Sequence, residues 1–373
     1  MKALRNVFAV IITIAVALYL IFAPEFIMSG IENSRNASNS KQESFTGIIS
    51  LWHIVGFKAH TGSVTNFLYA RASEFEKSHF GVFISVTSMT EEEYKENISA
   101  GQRADIYSFP LGLEYSDAFM PLDSDALSES ISSIRSGFIE TAKYENTLYA
   151  LPYLYSGCCL ITNDDLLTKQ SITMQETPDK GSVNDTLKNL STDAHTPLCG
   201  DEIYSCLYGL SSASLGEYDS FKSGKSEFAV SDFRAYGDIE RRQGSKGSFS
   251  ASAYTIFEYT DLVQYIALDK SISDKKQGYA YEFMEKLFTE HAQAALSDLN
   301  AYPVIEADNI AELKNKYTSI AYDAFSVYRK PQIPNCFLYK RYRDALKEDA
   351  LKAVSGDADA KLRFDKRIAE LIG

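Results

Sequence analysis

Strand and helix patterns alternate in the first third of the chain, and this alternation limits the fold more than any other feature. Residues 46–53 and 81–87 are rich in β-branched and aromatic side chains, which is typical of strands. Residues 66–77 carry apolar side chains at helical spacing, and Thr90 precedes three glutamates that favour a helix start. A third short strand is predicted at 105–107. Such βαβ units predict an α/β fold with mainly parallel sheets covered by helices.

The rest of the chain predicts further elements and two loops. Residues 171–197 are polar and rich in turn formers, which predicts a surface loop, and 243–252 predict a second, flexible loop. Apolar stripes predict amphipathic helices at 277–291, 340–354 and 358–372.

The N-terminus has the composition of a targeting segment. Lys2 and Arg5 precede an apolar run at 7–22, so residues 1–27 are predicted to be a signal peptide or an uncleaved membrane anchor. Residues 28–44 are polar and predict a flexible linker. No cysteine precedes Cys158, which excludes lipid attachment at the leader. We therefore expect an extracytoplasmic protein, at the cell surface or in the periplasm, with membrane contact through its N-terminal segment.

Charge and length narrow the function classes. The formal net charge of −13 excludes a nucleic-acid-binding role, which needs clustered lysine and arginine. The roughly 330 residues after the linker exceed one core and predict two domains. The five histidines form no helical ligand pair, so we predict no metal site and no cofactor. An odd count of five cysteines leaves at least one thiol unpaired; Cys199 and Cys206 are either bridged or simply buried.

A series of short motifs follows in a fixed order. They are Leu-Trp-His at 51–53, Phe-Glu-Lys at 75–77, Ala-Gly-Gln-Arg-Ala-Asp-Ile at 100–106, Tyr-Ala-Leu-Pro at 149–152, Gly-Lys-Ser-Glu-Phe-Ala at 224–229 and Tyr-Glu-Phe-Met at 281–284. In order and spacing they resemble the extracellular solute-binding proteins of ABC importers, family 1, in particular the maltose and oligosaccharide binders. Asn146 stands where that family usually has glycine, and Thr162 where it has tyrosine.

The resemblance implies a fold and a function. It implies a two-lobed periplasmic-binding-protein-like α/β fold of type II, with lobes joined by hinge strands. Lobe 1 is expected at 45–155 plus 262–305, and lobe 2 at 156–261 plus 306–373. It also implies a protein that captures a small solute, with carbohydrate favoured, delivers it to ABC permease subunits and is no enzyme.

Ligands of open α/β sheets bind at the carboxyl ends of strands, and the hinge of such a fold adds further contacts. On these grounds the predicted ligand-binding residues are Trp52, His53, Tyr107, Ser108, Tyr153, Tyr155, Asp232, Arg234, Tyr236 and Tyr254. Aromatic rings stack on the C–H face of a sugar, while the polar side chains bond its hydroxyls. This mixture of side chains favours a sugar.

Three other readings stay open at this point. Tyr153, Tyr155 and Tyr254 are available to a ferric ion, and Arg234 to an amino acid or another anionic solute. A membrane-tethered ligand sensor would use the same two-lobed fold to bind its ligand. An enzyme would need a catalytic pair of carboxylates or a nucleophile motif, and the sequence indicates neither.

Overall fold

The structure is a computed structural model that describes residues 45–56, 63–113, 118–123, 125–174, 180–190, 195–212, 214–242, 244–245, 247–255, 259–305 and 332–372. The predicted leader at 1–27 and linker at 28–44 lie outside these residues. Thr46–Gly373 forms one compact unit. No helix in the described part of the chain is both long enough and apolar enough to span a membrane.

Eleven strands lie in the described ranges: β1 (Gly47–Ile54), β2 (Val82–Met89), β3 (Ile106–Pro110), β4 (Lys143–Tyr144), β5 (Thr147–Leu148), β6 (Leu151–Tyr155), β7 (Cys158–Asn163), β8 (Leu198–Gly200), β9 (Phe228–Asp232), β10 (Ala251–Thr255) and β11 (Val263–Leu268). The helices of the same ranges are α1 (Val64–Ser78), α2 (Glu91–Ser99), α3 (Ser128–Ser133), α4 (Ser136–Glu140), α5 (Asp164–Lys169), α6 (Lys180–Leu190), α7 (Glu202–Tyr208), α8 (Tyr218–Lys222), α9 (Phe233–Arg242), α10 (Asp274–Lys286), α11 (Glu290–Ala295), α12 (Lys340–Val354) and α13 (Ala358–Ile372). A 3₁₀ turn, Leu296–Leu299, follows α11.

Two main sheets organise these elements. The first has the strand order β2-β1-β3-β11-β6, and the second has the order β10-β7-β9-β8. We call each sheet with the helices packed on it a lobe. The chain leaves the first sheet after Tyr155 and enters the second at Cys158, and it returns between Thr255 and Val263. Near the C-terminus, α12 packs against α7 of the second lobe, and α13 packs on α12.

The sheets are less parallel than the sequence predicts. β1 pairs in parallel with β2 and β3, and β8 pairs in parallel with β9. In contrast, β11 runs antiparallel to β3 and β6, and β7 runs antiparallel to β9 and β10. In the two main sheets, each antiparallel pairing involves β7 or β11, strands that begin where the chain enters a sheet from the other one. The α/β fold is as predicted, but neither sheet is mainly parallel.

Most predicted helices are present, and their caps explain their starts. At α2, the Thr90 side chain accepts from the Glu93 backbone N–H, and the Glu93 carboxylate accepts in return from the Thr90 N–H, a complete capping box. The predicted helices at 340–354 and 358–372 coincide with α12 and α13. The predicted helix at 277–291 is instead α10, and α11 follows it after a short break.

The two predicted loops contain regular structure. Within 171–197, residues Lys180–Leu190 form helix α6, because Val183 and Leu187 lie on one helical face and are fully buried. The second predicted loop, at 243–252, ends where β10 begins at Ala251. Helix α6 and the start of β10 were both predicted as loop, because the apolar pattern of each is short and lies among polar residues.

Asn146, the first departure from the family pattern, lies in the tight turn between β4 and β5. Glu145 and Asn146 both have positive φ values, 48° and 64°. Two-residue hairpin turns need this left-handed conformation, which asparagine adopts more readily than other non-glycine residues. Asn146 therefore serves the turn in place of glycine.

All five cysteines are buried and unbridged. The Cys199 thiol lies 3.1 Å from Oγ of Ser226, to which it donates a hydrogen bond. Burial raises the pKa of the Cys199 thiol and raises those of Cys158, Cys159 and Cys336 well above their usual range. These cysteines act as small apolar core residues.

Candidate functional site

A cleft of about 730 Å³ lies between the two sheets. On the first lobe, its wall is formed by residues at and after the carboxyl ends of β1 and β3, namely Val55, Gly56, Pro110 and Leu111. The carboxyl ends of strands are where α/β sheets bind ligands. The volume falls within the range of about 300–1,000 Å³ of small-molecule sites.

The wall on the second lobe is formed by the ends of β8 and β9. Gly200 closes β8 with a φ of +107°, and a Cβ added there would lie 2.0 Å from the carbonyl oxygen of Val230. Only glycine allows this close approach of the two strands. The chain then turns at Asp201, whose side chain caps α7 by accepting from the Tyr204 N–H at 3.1 Å. This turn places Asp201 in the wall of the cleft.

The floor of the cleft holds a carboxylate fixed by two tyrosines. Asp261 lies on the segment that returns the chain to the first sheet. Its Oδ1 accepts from the Tyr204 hydroxyl at 2.8 Å, and its Oδ2 accepts from the Tyr339 hydroxyl. The Asp261 backbone N–H donates in turn to the Tyr204 oxygen at 3.0 Å. We call Asp201, Tyr204, Asp261 and Tyr339 the floor cluster; all four residues line the cleft.

Burial shapes the acidity of the floor cluster. Loss of solvent raises the pKa of Asp201 to about 7, and the nearby charge of Asp261 adds to this effect. Burial likewise raises the pKa of Asp261, although the hydrogen bonds from Tyr339 and Tyr204 partly offset it. Both carboxyl groups of the floor therefore hold their protons to a higher pH than exposed carboxyl groups do.

The rim of the cleft is built from ion pairs. Glu91, at the start of α2, lies 2.9 Å from Nζ of Lys340 and 3.4 Å from the guanidinium of Arg343. Burial acts to raise the pKa of Glu91, but hydrogen bonds from Lys340 and Lys95 and the charge of Arg343 prevail and hold it at about 2. These contacts connect α2 of the first lobe with α12.

Three of the residues predicted for the site meet in the first sheet rather than in the cleft wall. His53 Nδ1 lies 2.9 Å from Ser108 Oγ, which lies 2.8 Å from the Tyr153 hydroxyl, and Gln264 donates to the same Ser108 oxygen at 3.1 Å. All four side chains are buried. Burial lowers the pKa of His53 to about 4, so its ring is neutral at physiological pH. Ligand contact by His53, Ser108 and Tyr153 stays a prediction; His53 Nδ1, Ser108 Oγ and the Tyr153 hydroxyl bond one another within the sheet.

The predicted aromatic contacts of the first lobe are also core residues. Trp52 packs edge-on against Tyr107 with ring centroids 6.0 Å apart, and only 9% of Trp52 is exposed. The Tyr107 hydroxyl donates to Asp269 at 2.9 Å. Tyr155 is fully buried and accepts from Arg135 at 3.1 Å. Trp52 and Tyr107 lie earlier in their strands than the wall, which begins after β1 at Val55 and at Pro110, the last residue of β3.

Of the four residues predicted in the second lobe, Asp232 lines the cleft. Its Oδ1 accepts from the Ala235 N–H at 2.8 Å at the start of α9. Arg234 is buried and donates to the Leu299 carbonyl at 3.1 Å, and Tyr236 is buried beside Ala251. Tyr254 is half-buried and pairs with Leu160 across the second sheet. The strand-end rule therefore selects a loop of β9 that borders the cleft, and of the four predicted residues Asp232 is the one that lines it.

The residues of the floor cluster are not among those predicted from the sequence. Asp201 follows a three-residue strand that is too short to recognise by pattern, although the Gly-Asp pair before an apolar helix is a usable signal. Tyr204 and Asp261 are separated by 57 residues, and Asp261 and Tyr339 by 78. No local pattern indicates such a contact.

In the described part of the chain, no group of three or more His, Cys, Asp or Glu side chains could hold a metal ion. The tyrosines named for the ferric alternative lie on different sheets, Tyr153 and Tyr155 on β6 and Tyr254 on β10.

Comparison with solved structures identifies the fold. An ABC substrate-binding protein from Listeria monocytogenes in complex with cycloalternan is similar with a TM-score of 0.65 at 15% identity, over 87% of this chain and 99% of that one. The chain has the two-lobed fold of the solute-binding proteins. The cyclic α-maltosyl-1,6-maltose binding protein from Arthrobacter globiformis gives a TM-score of 0.65 at 11% identity, over 88% and 99% of the two chains. The GacH receptor of Streptomyces glaucescens gives a TM-score of 0.62 at 15% sequence identity, over 88% of this chain and 99% of that one.

The fold predicted from the sequence motifs is thus confirmed. No protein-family model matches the chain, and no curated protein sequence matches it either. The similarity is therefore structural.

Proposed function

We propose that this protein is an extracytoplasmic solute-binding protein that captures a carbohydrate in the cleft between its lobes and delivers it to an ABC importer. Its role is binding, without chemistry on the solute. The proposal also includes the predicted lobe boundaries, 45–155 plus 262–305 for the first lobe and 156–261 plus 306–373 for the second.

The observation that carries the proposal is the position of the cleft. Its walls come from the strand ends of both sheets, and its floor includes Asp261 and Leu262, which lie where the chain crosses between the sheets. A solute held there touches both lobes and the crossing segment together. Binding then favours the closed arrangement, because the solute gains its full set of contacts only when both walls meet it.

Carbohydrate is favoured by the polar lining and by the similar structures. Asp201, Ser231 and Asp232 offer hydrogen-bonding groups along one wall. Sugar hydroxyls both donate and accept, so they match such a lining. The similar structures include a complex with cycloalternan, one with mannotriose and one with the blood group A-trisaccharide.

Export and delivery rest on the sequence. The apolar run behind Lys2 and Arg5 supports a secreted or membrane-anchored protein, and the polar segment at 28–44 supports a linker that lets the lobes reach a permease. ABC permease subunits are therefore the proposed partners.

A thermal-shift screen tests the proposal. Pure protein is heated with trisaccharides of glucose, mannose, xylose, glucosamine and N-acetylglucosamine, with amino acids and with ferric citrate. A bound sugar raises the melting temperature by mass action, by several degrees when its concentration is about 100 times Kd. Small-angle scattering with the best sugar should then show a smaller radius of gyration.

Two results would contradict the proposal. One is stabilisation by amino acids or ferric citrate with no response to any sugar. The other is turnover of a sugar by the pure protein, since a binding protein releases its solute unchanged.

A further inference from the structure

We infer that the cleft selects a carbohydrate that carries a protonated amine, and that Asp201 and Asp261 hold this amine at the floor. The inference rests on the proposed function and adds to it the chemical class of the solute.

The lining of the cleft is strongly acidic. Seven carboxylates line it, from Glu91, Asp201, Glu202, Glu217, Asp232, Asp261 and Glu348. Two basic residues, Arg343 and Lys347, line it as well. A concave surface of one sign concentrates solutes of the opposite sign, because low-dielectric walls focus the field. An anionic solute is therefore disfavoured.

Both basic residues of the cleft already have acidic partners. Arg343 lies 3.4 Å from Glu91, and Lys347 lies 3.7 Å from Glu202. Among the described residues, no lysine, arginine or histidine nitrogen comes within 4.0 Å of the carboxylates of Asp201 or Asp261. Asp201 and Asp261 thus form no direct ion pair among the described residues, and Lys347, whose charge acts on both carboxyl groups, is engaged with Glu202.

Hydrogen bonds hold the side chains of the floor cluster in one geometry. Tyr204 connects the two carboxyl groups, because its backbone N–H donates to Asp201 and its hydroxyl donates to Asp261. Tyr339 holds the other oxygen of Asp261. The carboxylates are therefore oriented before any solute arrives, and binding costs little side-chain entropy.

A protonated amine would relieve the repulsion between these two carboxyl groups. An ammonium has three donors, which suits two carboxylates on neighbouring segments. A neutral sugar hydroxyl brings only one donor and no charge, and charge-assisted hydrogen bonds are about twice as strong as neutral ones. The remaining hydroxyls of an amino sugar would bond the polar walls. An amino sugar thus combines the two chemistries that the cleft offers.

Matched sugar pairs provide the test. Calorimetry compares the trimer of glucosamine with the trimer of N-acetylglucosamine, and the trimer of galactosamine with that of N-acetylgalactosamine. The members of each pair differ in the acetyl group that removes the charge. We expect at least one amine form to bind about tenfold or more tighter than its acetylated partner, with an affinity that falls as salt rises.

Variants assign the effect to the floor cluster. Asp201→Asn and Asp261→Asn keep the side-chain shape and remove the charge. Each variant should bind the amine form of the sugar about tenfold more weakly than the wild type, and should change the affinity for the acetylated form less than twofold. Asp357→Asn is the matched control, because Asp357 also accepts a backbone N–H, that of Ala360 at 2.9 Å, on an exposed part of the chain.

The outcomes separate the inference from the proposed function. Equal binding of neutral and amine sugars, or amine binding that survives both variants, overturns the inference and leaves the proposed function standing. Binding of spermidine with no response to any sugar overturns both. A visible charge-transfer band after addition of ferric ion, lost in Tyr204→Phe, would assign the floor cluster to iron and also overturn both.

Discussion

The Glu91 carboxylate and the Lys340 ammonium lie 2.9 Å apart, and this ion pair connects the first lobe with the helix that packs on the second. Glu91 begins α2 and Lys340 begins α12. Their pairing spans 249 residues of sequence at the rim of the cleft.

Glu91→Gln should lower the free energy of unfolding at pH 7 by about 1 kcal/mol, because it removes a partly buried ion pair. The folded pKa of about 2 lies below the ordinary value of 4.5. The stabilisation is therefore complete above about pH 4.5 and is lost as pH falls toward 2. Urea unfolding at several pH values measures this. Glu92→Gln, at the exposed neighbouring position, is the control and should show no comparable change.

His53 should make the fold sensitive to mild acid. Its folded pKa of about 4 lies below the ordinary value of 6.5, so the unfolded chain binds the proton more readily. Stability should fall as pH drops from about 6.5 to 4, by about 3 kcal/mol at most. His53→Asn should remove much of this slope. The control is His291→Asn, whose histidine side chain is 77% exposed; an identical slope in His53→Asn and the wild type would contradict the assignment.

Asp201→Asn should stabilise the ligand-free protein above neutral pH. The folded pKa of about 7 exceeds the ordinary value of 3.8, so the folded state holds the proton better and stability falls as pH rises from 3.8 to 7. Asp201 is partly exposed to the cleft, so we expect a gain of about 2 kcal/mol at pH 8 and little gain at pH 4. Melting curves at both values test this. A variant less stable than the wild type at pH 8 would contradict it.

Tyr153→Phe should destabilise the protein without weakening solute binding. The change removes a buried hydroxyl that contacts Ser108 at 2.8 Å, at a cost of about 1–3 kcal/mol. Tyr69→Phe is the matched control, because that hydroxyl bonds the Val86 carbonyl at 2.9 Å from a ring half-exposed to solvent. If Tyr153→Phe leaves stability unchanged and weakens binding tenfold, Tyr153 is a ligand contact as the sequence predicted.

Local patterns predicted much of the fold. Helices α12 and α13 were predicted from their apolar stripes, and α2 from Thr90 and the glutamates that follow it. These signals could be recognised because each lies within a few residues of sequence. Helix α6 was missed because only Val183 and Leu187 mark its buried face among polar neighbours. The antiparallel strands were missed because strand direction depends on where the chain crosses between sheets.

The cleft was predicted less completely than the fold. The strand-end rule indicated the loops after β1, β3 and β9, and the cleft does lie there. The same rule selected Trp52 and Tyr107 as ligand contacts. These two side chains pack on each other within the first sheet, a few residues before the strands reach the wall of the cleft. The floor cluster joins Asp261 to a tyrosine 57 residues away and to another 78 residues away, and only tertiary structure brings these together.

Solute binding inside the cleft is tested most directly by calorimetric titration of a matched pair of variants with the sugar found in the screen. Ser231→Trp fills the cleft from β9, whereas Ser85→Trp adds the same ring to an exposed position of strand β2. We expect the wild type and Ser85→Trp to bind one sugar per chain with equal affinity, and folded Ser231→Trp to lose binding at least a hundredfold, about 2.7 kcal/mol. Equal binding by all three proteins would place the solute elsewhere and contradict this account.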